Sequence, residues 1–194
     1  MKKIIAEVSA RHLHLCQKDL EILFGSPRGE TGKKYLLHQK SALSQTGHYA
    51  AQETVNLVNK SKSLTVRIIG PTRPDTQVEL SMTDCKFLDI KPILRLSGDL
   101  KNSSGLTLVG PKGKLKLKTG VIVAKRHLHL AIQDAKKWQL KNNQKVSAQV
   151  KGERELVFKN IIVRVGEGQT RLHLDTDEAN AAGIKNGEIV YLDF

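Results

Sequence analysis

A chain of 194 residues is long enough to bury a core and fits one large domain or two small ones. Its 32 lysines and arginines against 19 acids leave a formal charge of +13, which makes an anion the expected partner; with 4% aromatic residues and no arginine-rich tail or basic helix, the stacking surfaces of a nucleic-acid binder are scarce, and a phosphate-bearing small molecule suits the charge. Two cysteines without a C-x-x-C pattern exclude a disulfide scaffold, and no apolar run approaches a membrane span, so a protein of the reducing cytoplasm is expected.

Taken in chain order, the first element is a strand, IIAEVSA (residues 4–10), whose apolar run is too short for a signal peptide. It leads into VSARHLHL (8–15), again of strand character. A short helix follows from Lys18 to Phe24, closed by Gly25 as a natural residue past a helix end. The stretch SPRGETGKKYLLHQKSALS (26–44) reads as a loop or insertion. Period-two alternation then predicts strands in ETVNLVN (53–59), SLTVRIIG (63–70), QVELSMT (77–83) and KLKLKTGVIVA (114–124). VAKRHLHL (123–130) repeats the earlier octapeptide. A second helix is expected from Ile132 to Leu140, a strand in ELVFKNIIVRV (155–165), a third helix from Asp177 to Ala182 ending at Gly183, and a last strand in EIVYLDF (188–194).

Many closely spaced strands with few helices predict a mainly β protein built of small closed barrels rather than a layered α/β sheet. A second repeat supports two related halves. From Asp134 and from Glu178 the chain gives an acidic residue, an apolar one six places on, a polar turn and a strand; the segment from Asp84 follows the pattern more loosely.

Four of the seven histidines sit in the two octapeptides. On a strand, His12 and His14 leave one face while Leu13 and Leu15 take the other, and His127 and His129 stand likewise against Leu128 and Leu130. Two imidazoles side by side can chelate a divalent ion, usually zinc. Hydrogen-bonded surface histidines are the plainer explanation for one such pair, and repetition in equivalent settings weighs against it. A clamp of two histidines needs a third protein ligand. His173, on another strand with Leu172 and Leu174 turned away, is the best further imidazole; His38 and His48 lie in polar stretches, and Cys16 reads as a capping or buried thiol.

Arginines form the second constellation. Arg67 and Arg73 flank a Gly-Pro turn and offer the planar fork that phosphate oxygens match, although exposed arginines usually do nothing specific. Arg11 and Arg126, each just before a histidine pair, point to the opposite strand face and are expected to form structural ion pairs.

In VSARHLHL, ALSQTGHYAAQETVNLV, VRIIGPTRPDTQVELSMTD, LRLSGDL, LVGPKG, GVIVAKRHLHL, FKNIIVRV and LHLDTDEANAAGI, which run in order through nearly the whole chain, the sequence resembles the PduL-type phosphotransacylases, or phosphate propanoyltransferases. That resemblance implies two small β-barrels capped by short helices, with the N-terminal strand joining the C-terminal barrel: domains of roughly 11–124 and 125–194 plus 1–10. It implies two zinc ions between the barrels, one on His12, His14 and Glu79, the other on His127, His129 and His173. It also implies coenzyme A contacts at Ser9, Arg67 and Asn180, and a phosphate-binding Arg73. Cys16 and His48 depart from the family's usual residues and bear on the coordination of the first zinc. The family suggests a homodimer. Encapsulated members carry a targeting extension, and a first strand beginning almost at Met1 favours the cytoplasm over a microcompartment lumen.

The implied reaction interconverts a short-chain acyl-CoA, propanoyl or acetyl, plus phosphate with an acyl phosphate plus coenzyme A. No Ser-His-Asp arrangement is evident, so direct transfer to phosphate is expected. Two other classes share parts of the pattern: a zinc-dependent thioester hydrolase, and a basic nucleic-acid-binding module with structural zinc. The acetyl and propanoyl substrates differ by one methylene, worth only ~1 to 3 kcal/mol in a pocket, so the sequence does not decide between them.

Overall fold

In a computed structural model, which describes residues 1–25 and 34–194, the chain runs through β1 (Lys2–Ser9), β2 (His12–His14), α1 (Gln17–Phe24), β3 (Gln39–Ala42), β4 (Tyr49–Asn59), β5 (Lys62–Gly70), β6 (Gln77–Glu79), α2 (Met82–Phe87), β7 (Leu94–Arg95), β8 (Thr107–Val109), β9 (Lys114–Lys116), β10 (Val121–Ala124), β11 (His127–Ala131), α3 (Ile132–Trp138), β12 (Lys145–Val150), β13 (Leu156–Gly166), β14 (Arg171–Asp175), α4 (Thr176–Ala182) and β15 (Ile189–Asp193). The protein is mainly β with few short helices, as its alternating segments predict. Among the described residues no helix is long and apolar enough to cross a membrane.

The chain divides into two compact units, one of Met1–Ala10, Ser44–Thr46 and Lys125–Phe194, the other of Arg11–Leu43 and Gly47–Ala124. The first is a closed six-stranded barrel in the order β1-β14-β11-β13-β12-β15. β1 closes it by pairing parallel with β14 and antiparallel with β15, so the N-terminal strand does join the C-terminal barrel. The second unit is a nine-stranded sheet that curls without closing; its strands run β7-β10-β6-β2-β5-β4-β8-β9, with β3 on β4. Each has its own core. Leu128, Leu130, Leu172 and Leu174 are buried in the barrel, and Leu13, Leu15, Ile68 and Val78 in the sheet, so the leucines between the histidines anchor both strands.

Three sequence expectations are corrected. QVELSMT is strand only at Gln77–Glu79, because Ser81 accepts from the Asp84 N–H and Asp84 from the Ser81 N–H, a reciprocal cap that starts α2 at Met82. KLKLKTGVIVA breaks into β9 and β10 at Gly120, whose φ of +121° a side chain rarely adopts. Of the expected loop 26–44, residues 26–33 lie outside the described residues, and Gln39–Ala42 is strand β3 paired with β4.

The helix-turn-strand repeat has a physical basis. After α2, α3 and α4 a left-handed residue follows, Asp89, Gln139 or Gly183. The next N–H then bonds back five residues: Ile90 to Cys85, Leu140 to Ala135, Ile184 to Ala179. That is a Schellman closure with the apolar residue folded onto the core, and only one of the three uses glycine.

The helix starts repeat as well. Cys16 and Ala131 occupy the N-cap positions of α1 and α3 without a side-chain cap. Instead, a threonine just ahead of another strand ties the N-cap residue's N–H to an acid of the first turn. Thr76 Oγ1 accepts the Cys16 N–H at 3.0 Å and donates to Asp19 at 2.6 Å, while Thr170 Oγ1 accepts the Ala131 N–H at 3.1 Å and donates to Asp134 at 2.5 Å. Thr76 is 7% exposed. Replacing it with the near-isosteric valine strands an N–H and a carboxylate, so Thr76→Val is expected to lower unfolding stability by about 1–3 kcal/mol in urea titrations. An unchanged midpoint would show the pin to be dispensable.

Candidate metal centre and active site

β2 lies between β5, parallel, and β6, antiparallel, in the register His12 opposite Glu79 and His14 opposite Gln77. Opposed residues of a strand pair share a face, so this register, not sequence spacing, brings Glu79 to the histidines. The ligand atoms of His12, His14 and Glu79 all lie within 4.8 Å of one another, and this is the one such His/Cys/Asp/Glu group of three among the described residues. Neither Cys16 nor His48 belongs to it. A tetrahedral zinc with ligands at ~2.1 Å needs donors roughly 3.4 Å apart, so modest side-chain closure suffices; His12 Nε2 and Glu79 Oε2 are already at 3.6 Å. Two imidazoles and one carboxylate form the donor set of an open catalytic zinc site, and the first set therefore fits the metal.

The tautomer of His14 also suits a ligand. Its Nδ1 lies 3.0 Å from the Ile69 carbonyl oxygen, which only accepts, so Nδ1 carries the proton and Nε2 the lone pair. Burial first, then the charges of Arg73, His12 and His48, push its pKa down to about 2. His14 is thus a neutral imidazole throughout the physiological range, as metal ligation requires.

In the barrel, β11 pairs antiparallel with β14 so that His127 stands opposite His173, the place Glu79 takes opposite His12. The correspondence continues along both strands. Asp175 and Glu178 form the reciprocal cap of α4, as Ser81 and Asp84 do for α2. Arg126 pairs with Glu178 at 2.6 Å, and Arg11 with Asp84 at 2.8 Å, the structural ion pairs expected of these arginines. One module is therefore built twice, with a carboxylate in one copy and an imidazole in the other.

The second histidine set is less converged. The His127 and His173 rings stack with centroids 4.7 Å apart and planes 5° apart, while His129 and His173 meet edge to face at 6.4 Å. His129 Nε2 donates to the Glu167 carbonyl at 2.8 Å, and His127 Nδ1 to that of Lys125 at 3.2 Å. The donors are chemically suited to zinc, but stacked rings do not aim their nitrogens at one point; a ring must turn for three to meet.

Arg73 is tied to the first set. Its N–H donates to the Leu15 carbonyl at 2.9 Å, just past the end of β2, and its Nη1 reaches the Ser97 hydroxyl at 3.4 Å. Arg67 is the register partner of His12, and its Nη1 donates to the carbonyls of Ala51 and Gln52 at 2.8 and 3.1 Å. Ser9 ends β1 half-buried opposite Asp175, and Asn180 is exposed on α4. His38 is held elsewhere: its Nδ1 lies 2.7 Å from the buried Glu53 carboxylate. Two side chains at the first set, Gln77 and Ser97, were not singled out from sequence. The alternation of Gln77-Val78-Glu79 carries a signal for the first, which shares a face with Glu79; Ser97 lies in a loop and carries none.

A model of the family described as phosphate propanoyltransferase matches residues 5–185. Curated relatives of the same name include one from Thermotoga maritima, 43% identical over 97% of this chain and 88% of its own length. Others come from Salmonella typhimurium, 44% identical over 92% of this chain and 83% of its own, and Priestia megaterium, 45% identical over 93% and 81%.

Proposed function

This chain belongs to the phosphate propanoyltransferase family, and on that premise we propose that it exchanges a short acyl group between coenzyme A and inorganic phosphate with zinc held by His12, His14 and Glu79. It is an acyltransferase. The zinc reading rests on one observation: the three donors gather within 4.8 Å in the unit that also carries Arg73. His127, His129 and His173 are the proposed ligands of a second zinc, and Ser9, Arg67 and Asn180 the proposed contacts to coenzyme A.

Zinc, when bound, supplies a Lewis acid for the thioester carbonyl and a partner for the departing sulfur. The chain's residues do the rest. Arg73 holds the phosphate dianion in its guanidinium fork, which fixes the attacking oxygen and offsets the repulsion of bringing an anion to a carbonyl. The phosphate oxygen attacks the carbonyl carbon, the C–S bond breaks, and coenzyme A leaves as the thiolate. A covalent intermediate on a cysteine is not required: Cys85 is buried in the core of the sheet and Cys16 sits at the start of α1.

The test is the reverse reaction. Purified protein with acetyl or propanoyl phosphate and coenzyme A is expected to form thioester, to lose that activity after chelation, and to regain it with zinc. Full activity in metal-stripped protein would remove zinc from the mechanism. Thioester loss from acyl-CoA independent of phosphate would identify a hydrolase instead.

A further inference from the structure

We propose that Gln77 and Ser97 are positioning residues that select which oxygen of Glu79 faces the histidines, and that Ser97 links this carboxylate to Arg73. The inference rests on the zinc reading and adds residues to it.

Gln77 is 2% exposed, and its amide orientation is settled by the backbone. The Gly98 N–H donates to Gln77 Oε1 at 2.7 Å, so the amide nitrogen must face the other way. There Nε2 donates to Glu79 Oε1 at 2.5 Å and to Ser97 Oγ at 2.9 Å. Ser97 in turn donates its hydroxyl proton to the same oxygen, Glu79 Oε1, at 2.8 Å. Two donors on Oε1 turn Oε2 toward His12, whose Nε2 is 3.6 Å from it. The carboxylate is thereby prepared to give one oxygen, and the rotation that would spread it across a metal with both is opposed.

Ser97 reaches its full hydrogen-bonding capacity in this arrangement: one proton given to Glu79, and two lone pairs that face Gln77 Nε2 and Arg73 Nη1. The Arg73 contact, at 3.4 Å, is the longest of the three. It is the contact an incoming phosphate can replace with little loss, while the other two keep the carboxylate in place. Ser97 therefore stands between the proposed metal ligand and the proposed phosphate ligand.

Such outer partners of a ligating carboxylate typically change metal affinity or activity by about 10- to 100-fold. The experiment measures zinc affinity by competition with a chromogenic chelator for the parent, Glu79→Ala, Ser97→Ala, Ser97→Thr and Gln77→Leu, together with the melting temperature of each metal-stripped protein. Ser97→Ala and Gln77→Leu are expected to weaken zinc by about 10- to 100-fold; Ser97→Thr, which keeps the hydroxyl, is expected to hold zinc like the parent. Ser97→Ala should leave the melting temperature of the stripped protein unchanged, which a purely structural role would not. If Gln77→Leu fails to fold, the alanine and threonine variants at Ser97 still decide. Parental affinity in Ser97→Ala, where Glu79→Ala has lost zinc, overturns the positioning role alone. Zinc retained in Glu79→Ala overturns the site itself, and the inference with it.

Discussion

Glu79→Ala is expected to lose the metal of the first set and to lower kcat/KM by about three orders of magnitude. Lewis-acid stabilisation of a carbonyl is worth several kcal/mol, and each ~1.4 kcal/mol is a factor of ten in rate. The substitution removes more than one of three donors. It removes the only negative charge of the cluster, leaving two imidazoles near the Arg73 guanidinium, an arrangement that repels a divalent cation. It also strands the Ser97 hydroxyl and the Gln77 amide, both directed at Glu79 Oε1. Glu79→Asp keeps the charge but draws it back by one methylene from His12, so weakened rather than absent metal binding is expected. Metal analysis of dialysed protein beside a coenzyme A release assay checks both variants. A parental zinc content in Glu79→Ala would take Glu79 out of the site.

Much of this was legible in the sequence, and where legibility failed the reason is non-local. Strand alternation put Leu13, Leu15, Leu128 and Leu130 on the face opposite the histidines, the face the cores bury, because a strand's two-residue period needs no partner to be read. Glu79 entered only through the family resemblance, since its approach to His12 depends on an antiparallel register between β2 and β6 that no local spacing encodes. Thr76 and Thr170 escaped for the same reason: each ties down a helix that starts far from it in the chain. The strand expected over QVELSMT overruns the start of α2 at Met82 and Thr83, because six residues are too few to establish a helical period, although Ser81 and Asp84 have the spacing of a reciprocal cap. The repeat modules were visible from Asp134 and Glu178 but faint at Asp84, where Asp89 takes the left-handed position that Gly183 fills in its own copy.

Arg73→Ala is expected to lower kcat/KM for phosphate by about 10²- to 10³-fold while zinc is retained. A hydrogen bond to a charged group contributes about 1.5–3 kcal/mol, and a bidentate pair supplies two, less the part that water replaces. The arginine is well placed to be specific. Its N–H bond to Leu15 fixes its backbone to the chain leaving β2, the strand that carries His12 and His14. Its charge is felt there, since it is second only to burial in holding the His14 pKa down. Arg73→Lys keeps that charge but not the planar fork, so its loss should fall between parent and alanine, carried mainly by orientation and therefore by kcat. Steady-state rates at varied phosphate and saturating acyl-CoA separate the two contributions: a rise in KM with kcat kept means Arg73 only binds phosphate, and an equal fall in kcat and kcat/KM means its contact matters only during transfer. Unchanged phosphate kinetics in a folded, zinc-loaded Arg73→Ala protein would remove the arginine from the reaction and shift attention to Arg67, the nearest alternative by register with His12.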